Sequence, residues 1–222
     1  MAVLYKIRPE NRPSPTGGRI AGVTDADTAR AWAELSEEIV GCRRCSLQQG
    51  RVVIFRGSVT PEIVIVGEAP GASEEREGRP FVGRAGRTLN GALEEIGVGP
   101  DRYGVLNLLK CRPPMNRFDP SAARACAPFL LRQLDLLNPR RLVSLGAHAL
   151  KALDPSAPAI LEAAGEPRTA LGLPLFPMIH PAATFRSGRY ADRWARDLRR
   201  LGHWLGGGPD RTAKTDPPLT EP

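Results

Sequence analysis

No apolar stretch in this sequence approaches the roughly 20 residues that a bilayer-spanning helix needs, which argues against a membrane span. The amino end, Met1-Ala2-Val3-Leu4-Tyr5-Lys6, lacks the apolar core of a signal peptide, so a cytoplasmic location is expected. No internal repeat is present. Histidine is scarce, with three in 222 residues, and cysteine is limited to four. For a cytoplasmic chain that count argues against a disulfide framework.

What is there is ordinary for a globular protein: 41% apolar and 25% charged residues, in a chain long enough for one well-buried α/β domain. Lysine and arginine number 31 against 24 acidic residues, a formal charge of +7 that favours a polyanionic partner. Most of that charge is arginine, whose planar fork suits phosphate.

Met1 to Asp25 is rich in proline, glycine and arginine without periodicity, which predicts a flexible arm. Asp27 or Thr28 caps a predicted helix with Trp32, Leu35 and Ile39 at helical spacing, ended by Gly41. Strands are predicted over 51–55, 63–66, 104–109, 141–145 and 173–179. Between them fall helices over 87–96, from the Asp119-Pro120-Ser121 start to Leu137, and over 147–153. Tyr190, Trp194, Leu198, Leu201 and Leu205 mark a last amphipathic helix, and the composition beyond Gly206 predicts a disordered tail. Strands alternating with helices imply a single domain over 26–205, built on a mostly parallel sheet covered on both faces.

The stretch from Ile63 to Asn107 organises the rest. Its apolar run Ile63-Val64-Ile65-Val66 stops at Gly67-Glu68-Ala69-Pro70-Gly71 and reads as a strand buried on both faces. The chain leaves the sheet at the strand's carboxyl end, where open parallel sheets bind ligands. Glu68 stands there as a group to orient or deprotonate a water, or as a cap for the loop amides. Phe81 reads as a core plug or a stacking platform, and Asn107 ends the next strand with a donor and an acceptor to satisfy. His180, before Pro181, ends another strand; His148 and His203, in helices, read as structural. Gly78 to Arg84 imitates the spacing of a phosphate-binding loop, but Arg84 and Ala85 replace the residues that would hold phosphate and magnesium.

The cysteines form a Cys42-x-x-Cys45 pair followed by Cys111 and Cys126. Four thiolates complete the shell of zinc or of an iron-sulfur cluster, and the spacing does not choose between them; buried apolar cysteines are the alternative. With all four positions filled by protein, such a site is structural.

Four segments together carry a resemblance: Gly67-Glu68-Ala69-Pro70-Gly71, Gly78 to Gly86, Asn107-Leu108-Leu109-Lys110-Cys111-Arg112-Pro113-Pro114 and His180-Pro181-Ala182-Ala183. They resemble the family 4 uracil-DNA glycosylases over about Cys42 to Trp204. The resemblance implies a three-layer αβα sandwich around a central, mostly parallel four-stranded sheet, and a 4Fe-4S cluster on Cys42, Cys45, Cys111 and Cys126. It implies a monomer that flips uracil from DNA and hydrolyses the N-glycosidic bond. Glu68 and His180 are then catalytic. Gly67, Ala69, Glu74, Phe81 and Asn107 join them around uracil, with Phe81 stacking, Asn107 selecting and Glu74 excluding a methyl group at C5. Arg186, Arg189, Lys110 and Arg112 are the expected DNA contacts. Thr184-Phe185-Arg186 departs from the leucine usual after the histidine motif. A binding protein without catalysis and a cross-linking uracil binder are the competing classes; the latter wants an inserted histidine loop that Arg112 to Asp119 lacks.

Overall fold

The computed structural model describes residues 25–47 and 49–206. The arm expected over 1–25 and the tail expected over 206–222 fall, but for Asp25 and Gly206, outside them. Six strands form one sheet: β1 (Arg56–Gly57), β2 (Ile63–Gly67), β3 (Tyr103–Asn107), β4 (Arg141–Leu145), β5 (Arg168–Ala170) and β6 (Leu173–Met178). Their order is β1-β3-β2-β4-β6-β5. The expected four strands are its parallel centre, β3-β2-β4-β6, and the antiparallel edges β1 and β5 extend it. Strands of two and three residues are too short to show a period, which is why the sequence did not reveal them.

Seven helices are described: α1 (Asp25–Val40), α2 (Ala72–Glu77), α3 (Arg84–Glu95), α4 (Pro120–Leu137), α5 (Ala147–Leu153), α6 (Ile160–Ala163) and α7 (Gly188–Gly206). Alternation along β2 divides the core. Ile63 and Ile65 share a cluster with Leu89 and Leu93 of α3 and Leu198 and Leu201 of α7. Val64 and Val66 share another with Leu130 and Leu134 of α4 and Leu150 of α5. This is the three-layer sandwich, with α1 packed outside α4 through Leu35, Ile39 and Phe129. α4 begins as its sequence dictates, with the Asp119 carboxylate accepting from the Ser121 and Ala122 amides at 2.8 and 3.0 Å and Pro120 in the first turn.

Residues 51–55 are not a strand. Val53 donates one backbone bond to the Lys110 carbonyl at 2.8 Å, and the Gln133 side chain takes the Ile54 carbonyl at 3.1 Å. The apolar side chains dock instead on what lies beneath: Phe55 meets the edge of Trp32 and covers Gly104, where a Cβ would come within 2.8 Å of its ring. Burial satisfied the hydrophobic pattern without a ladder, and only Arg56–Gly57 pair with β3.

The last helix uses part of its charge inwardly. Asp197 is fully buried, and Arg193, one turn earlier, bonds both of its oxygens at 2.8 and 3.0 Å. The same guanidinium reaches the Leu161 carbonyl at 3.0 Å and the Ala164 carbonyl, while Arg200 pairs with Glu166 at 2.7 Å. Arg193 and Arg200 therefore fasten α7 to the α6 segment and are not a free phosphate-binding row. Replacing Arg193 by leucine would leave Asp197 buried without the cation that bonds it, at a cost of about 3–5 kcal/mol. Urea denaturation measures it; a loss below about 1 kcal/mol would mean that the pair behaves like a screened surface bridge.

Candidate active site

Parallel pairing sets the geometry. β2 and β3 run in a register that places Gly67 opposite Asn107, and β2 pairs on its other side with β4. The chain runs from β2 out to β3, crosses back over β2 to β4 and continues away from it to β6, so the crevice between the carboxyl ends of β2 and β4 is a topological switch point. Gly67 has no side chain, and the space beside it is taken: a Cβ there would lie 2.5 Å from both the Asn107 Oδ1 and the Phe81 ring. The amide and the aromatic ring meet over a bare backbone. Asn107 is buried, and neither its Oδ1 nor its Nδ2 has a hydrogen-bond partner. Buried amides are almost always satisfied, so an orphan of this kind at a strand end has a donor and an acceptor free to pair with a ligand edge.

Phe81 is buried at a left-handed φ of 55°, and its ring is tilted 34° against the His180 ring, with centroids 5.8 Å apart. Two features hold it there. Gly86, in the first turn of α3, sits so close under the Phe81 carbonyl that a Cβ would overlap it at 1.9 Å. Glu74 accepts from the Val82 and Gly83 amides at 3.0 and 2.8 Å with one oxygen and from the Gly71 amide at 3.1 Å with the other. Glu74 thus caps the start of α2 through the Gly71 amide, the half of a capping box that a glycine N-cap allows, and ties the Gly71 turn to the Phe81 loop.

His180 follows β6. Its Nδ1 accepts the Ala182 backbone N–H at 3.2 Å, so the ring proton of the neutral imidazole is on Nε2. Burial holds its pKa below the ordinary range; the Glu68 and Glu74 carboxylates pull upward and Arg186 adds to the lowering. Glu68 continues the β2–β3 ladder, its carbonyl accepting from Leu109 at 3.0 Å. Its carboxylate meets the Nδ1 of His148 at 2.6 Å. His148, in the first turn of α5, stacks face to face on Phe118, centroids 3.9 Å apart at 12°. Sequence reasoning missed His148 by weighing its alanine neighbours; the signal was its place two residues beyond Gly146, at the carboxyl end of β4, the same strand-end position that singles out Glu68, Asn107 and His180.

The thiols form a neighbouring site. Cys45, Cys111, Ala69 and Phe118 pack on a cluster of Leu47, Leu109, Ala122 and Cys126, so Ala69 is a wall common to both. Burial pushes the Cys111 thiol up to about 12, and Cys126, Cys45 and Cys42 push it further in that direction. Burial raises Cys126 likewise, against a hydrogen bond from the Lys110 backbone N–H. Three thiols in one apolar pocket, with Cys42 packed on the adjoining Leu35, Ile39 and Phe129 and near enough to repel them, fit a group that supplies positive charge to all four. Among the described residues no three His, Cys, Asp or Glu side chains close around a single metal ion.

Of the expected DNA contacts, Arg186 and Arg189 are exposed beside His180, and Arg112 is half-buried against Glu75 at 3.3 Å. Lys110 is a correction. It is 1% exposed, its Nζ donates to the Asn107 carbonyl at 2.6 Å, and burial lowers its pKa to about 8. An ammonium buried against a backbone carbonyl is not at the surface where a phosphate would be met.

Comparison with known proteins bears on this geometry. Residues 55–199 match the family model described as the Uracil DNA glycosylase superfamily. The chain belongs to that superfamily. A Type-4 uracil-DNA glycosylase of Thermotoga maritima is 40% identical over 172 residues, covering 75% of this chain and 86% of that one. One from Pyrobaculum aerophilum is 36% identical over 80% of this chain and 95% of its own. One from Sulfurisphaera tokodaii is 45% identical over 123 residues, 53% of this chain and 56% of that one. The matched region of the superfamily runs from Phe55 to Arg199 and so contains the whole crevice. A member whose histidine is held neutral at pH 7 should show it directly: an NMR titration of His180 is expected to give a midpoint below 6.5 with the proton on Nε2, and a midpoint above 6.5 would contradict the placement.

Proposed function

We propose that the protein flips uracil out of DNA and hydrolyses its N-glycosidic bond, releasing free uracil and leaving an abasic site for base excision repair. The observation that carries this reading is the orphan Asn107 amide beside Phe81. A buried donor and acceptor left unmade cost about 1–3 kcal/mol each, and uracil presents their complement, an O4 acceptor next to an N3–H donor. Cytosine presents the reverse. The names of the Type-4 relatives support the same substrate.

A base in a duplex must leave the stack to reach such a pocket. Phe81 then stacks on its ring, and Glu74, fixed by three amides, walls the C5 side. When the bond from C1′ to N1 breaks, its electron pair goes to the base and charge gathers at O2. The His180 Nε2–H is the donor aimed at that oxygen, joined by backbone amides of the Gly67 to Ala69 turn. Water oxygen bonds C1′, and its proton passes to the Glu68 carboxylate; the uracil anion takes a proton from solvent. Arg186 and Arg189 contact phosphates and set the register of the strand without reading sequence. The protein works as a monomer in the cytoplasm.

Cys42, Cys45, Cys111 and Cys126 hold a 4Fe-4S cluster in this reading. Bound there, it cross-links the segment after α1, the loop after β3 and α4, bracing the Ala69 wall from behind. Anaerobically purified protein is expected to be brown, with iron and labile sulfide in equal amounts, and Cys126→Ser is expected to lose the colour and melt lower. A colourless, zinc-loaded protein would rule the cluster out.

An oligonucleotide with one uracil, treated with the protein and then with alkali, is expected to break at that position only. Asn107→Asp should slow uracil release by about tenfold to a hundredfold and admit cytosine. Unchanged discrimination would remove Asn107 from its role.

A further inference from the structure

The Glu68–His148 contact joins residues 80 apart in sequence across two strands of the sheet, β2 and β4. It is the one hydrogen bond to the Glu68 carboxylate among the described residues, and it engages Oε2 alone. A carboxylate can only accept, so the bond requires a proton on the His148 Nδ1. The imidazole itself is braced. Its face lies on Phe118, and Phe118 is anchored at the entry to α4 next to the Asp119 cap and against the wall of the thiol pocket. Gly146, with a φ of 91°, starts α5 at the end of β4 and so delivers His148 to the crevice. A carboxylate bound through both oxygens would be a structural brace, as Glu74 is. Bound through one, on a ring whose face is packed against Phe118, it keeps its second oxygen unengaged beside the crevice.

We propose that His148 is a positioning residue for Glu68: the His148 Nδ1–H fixes Oε2, Phe118 fixes the His148 ring, and Oε1 is thereby aimed at the water that attacks C1′. The inference rests on the hydrolytic role given to Glu68 above. Proton transfer is unchanged by it; the water's proton still goes to Oε1, and His148 keeps its own. What His148 supplies is orientation, and a misplacement on the order of 1 Å at a reacting group costs about a hundredfold in rate.

Single-turnover release of uracil from a single-stranded oligonucleotide reads this separately from binding. His148→Phe keeps a flat ring on Phe118 and removes the N–H. It is expected to slow release about 10- to 100-fold, with DNA affinity and melting temperature at the wild-type values. His148→Asn, whose amide nitrogen falls near the Nδ1 position, is expected to recover the rate to within about threefold of wild type. Glu68→Ala with His148→Phe should be no slower than Glu68→Ala alone, since both changes remove one device. If Glu68→Ala is slow while His148→Phe releases uracil at the wild-type rate, the positioning role is wrong and the function of Glu68 stands. If Glu68→Ala itself is at the wild-type rate, the reading of Glu68 fails and takes this inference with it. Equal slowing by His148→Phe and His148→Asn at unchanged melting temperature also overturns the proposal, because the donor would then not be what matters.

Discussion

β2 is hydrogen-bonded on both sides, to β3 with Gly67 against Asn107 and to β4 with Val66 against Ser144. Its five residues are all buried, so both faces are specified by the core and a slip of one residue would turn each side chain to the wrong layer. That register is what brings the Asn107 amide to the bare glycine, and it aligns the carboxyl ends of four strands at one level. Glu68, Asn107, His148 and His180 come from four different strand ends and meet because those ends are flush. Loosening β2 would separate all of them at once.

Carboxylates in this fold are used in two ways. Glu74 and Asp197 are bound through both oxygens, by loop amides and by a guanidinium, and Asp119 is a helix cap that takes two amides on one oxygen. Glu68 accepts a single bond, from a side chain, and keeps an oxygen for the crevice. Arginines divide likewise: Arg193 and Arg200 act as internal clamps, whereas Arg186 and Arg189 are exposed beside the histidine loop. Net charge alone does not separate these roles; the neighbours of each side chain do.

The central strands and α4 were legible because their signals are local. Continuous apolar runs marked β2 and β3, and the Asp119-Pro120 pair marked a helix start. Phe81, Asn107, Glu68 and His180 were legible as strand-end or loop residues. Lys110 was misread because a lysine beside a cysteine motif looks like surface charge, and only the fold shows its ammonium turned onto the Asn107 carbonyl. His148 was misread for a related reason. Its partner lies 80 residues away, and no periodicity carries a contact of that range. The 51–55 segment has a strand's composition but docks by side chains, a choice that tertiary packing makes.

Phe81 is held in a conformation that costs a non-glycine residue on the order of 1 kcal/mol or more, and Gly86 and Glu74 keep it there through contacts within the protein itself. The platform is therefore set during folding. In the proposed reading a flipped base meets a floor that needs no rearrangement, so little of its stacking energy is lost to ordering the receptor. On that reading the pocket is a rigid gauge: bases are sorted by how they fit it, since it does not adapt to them.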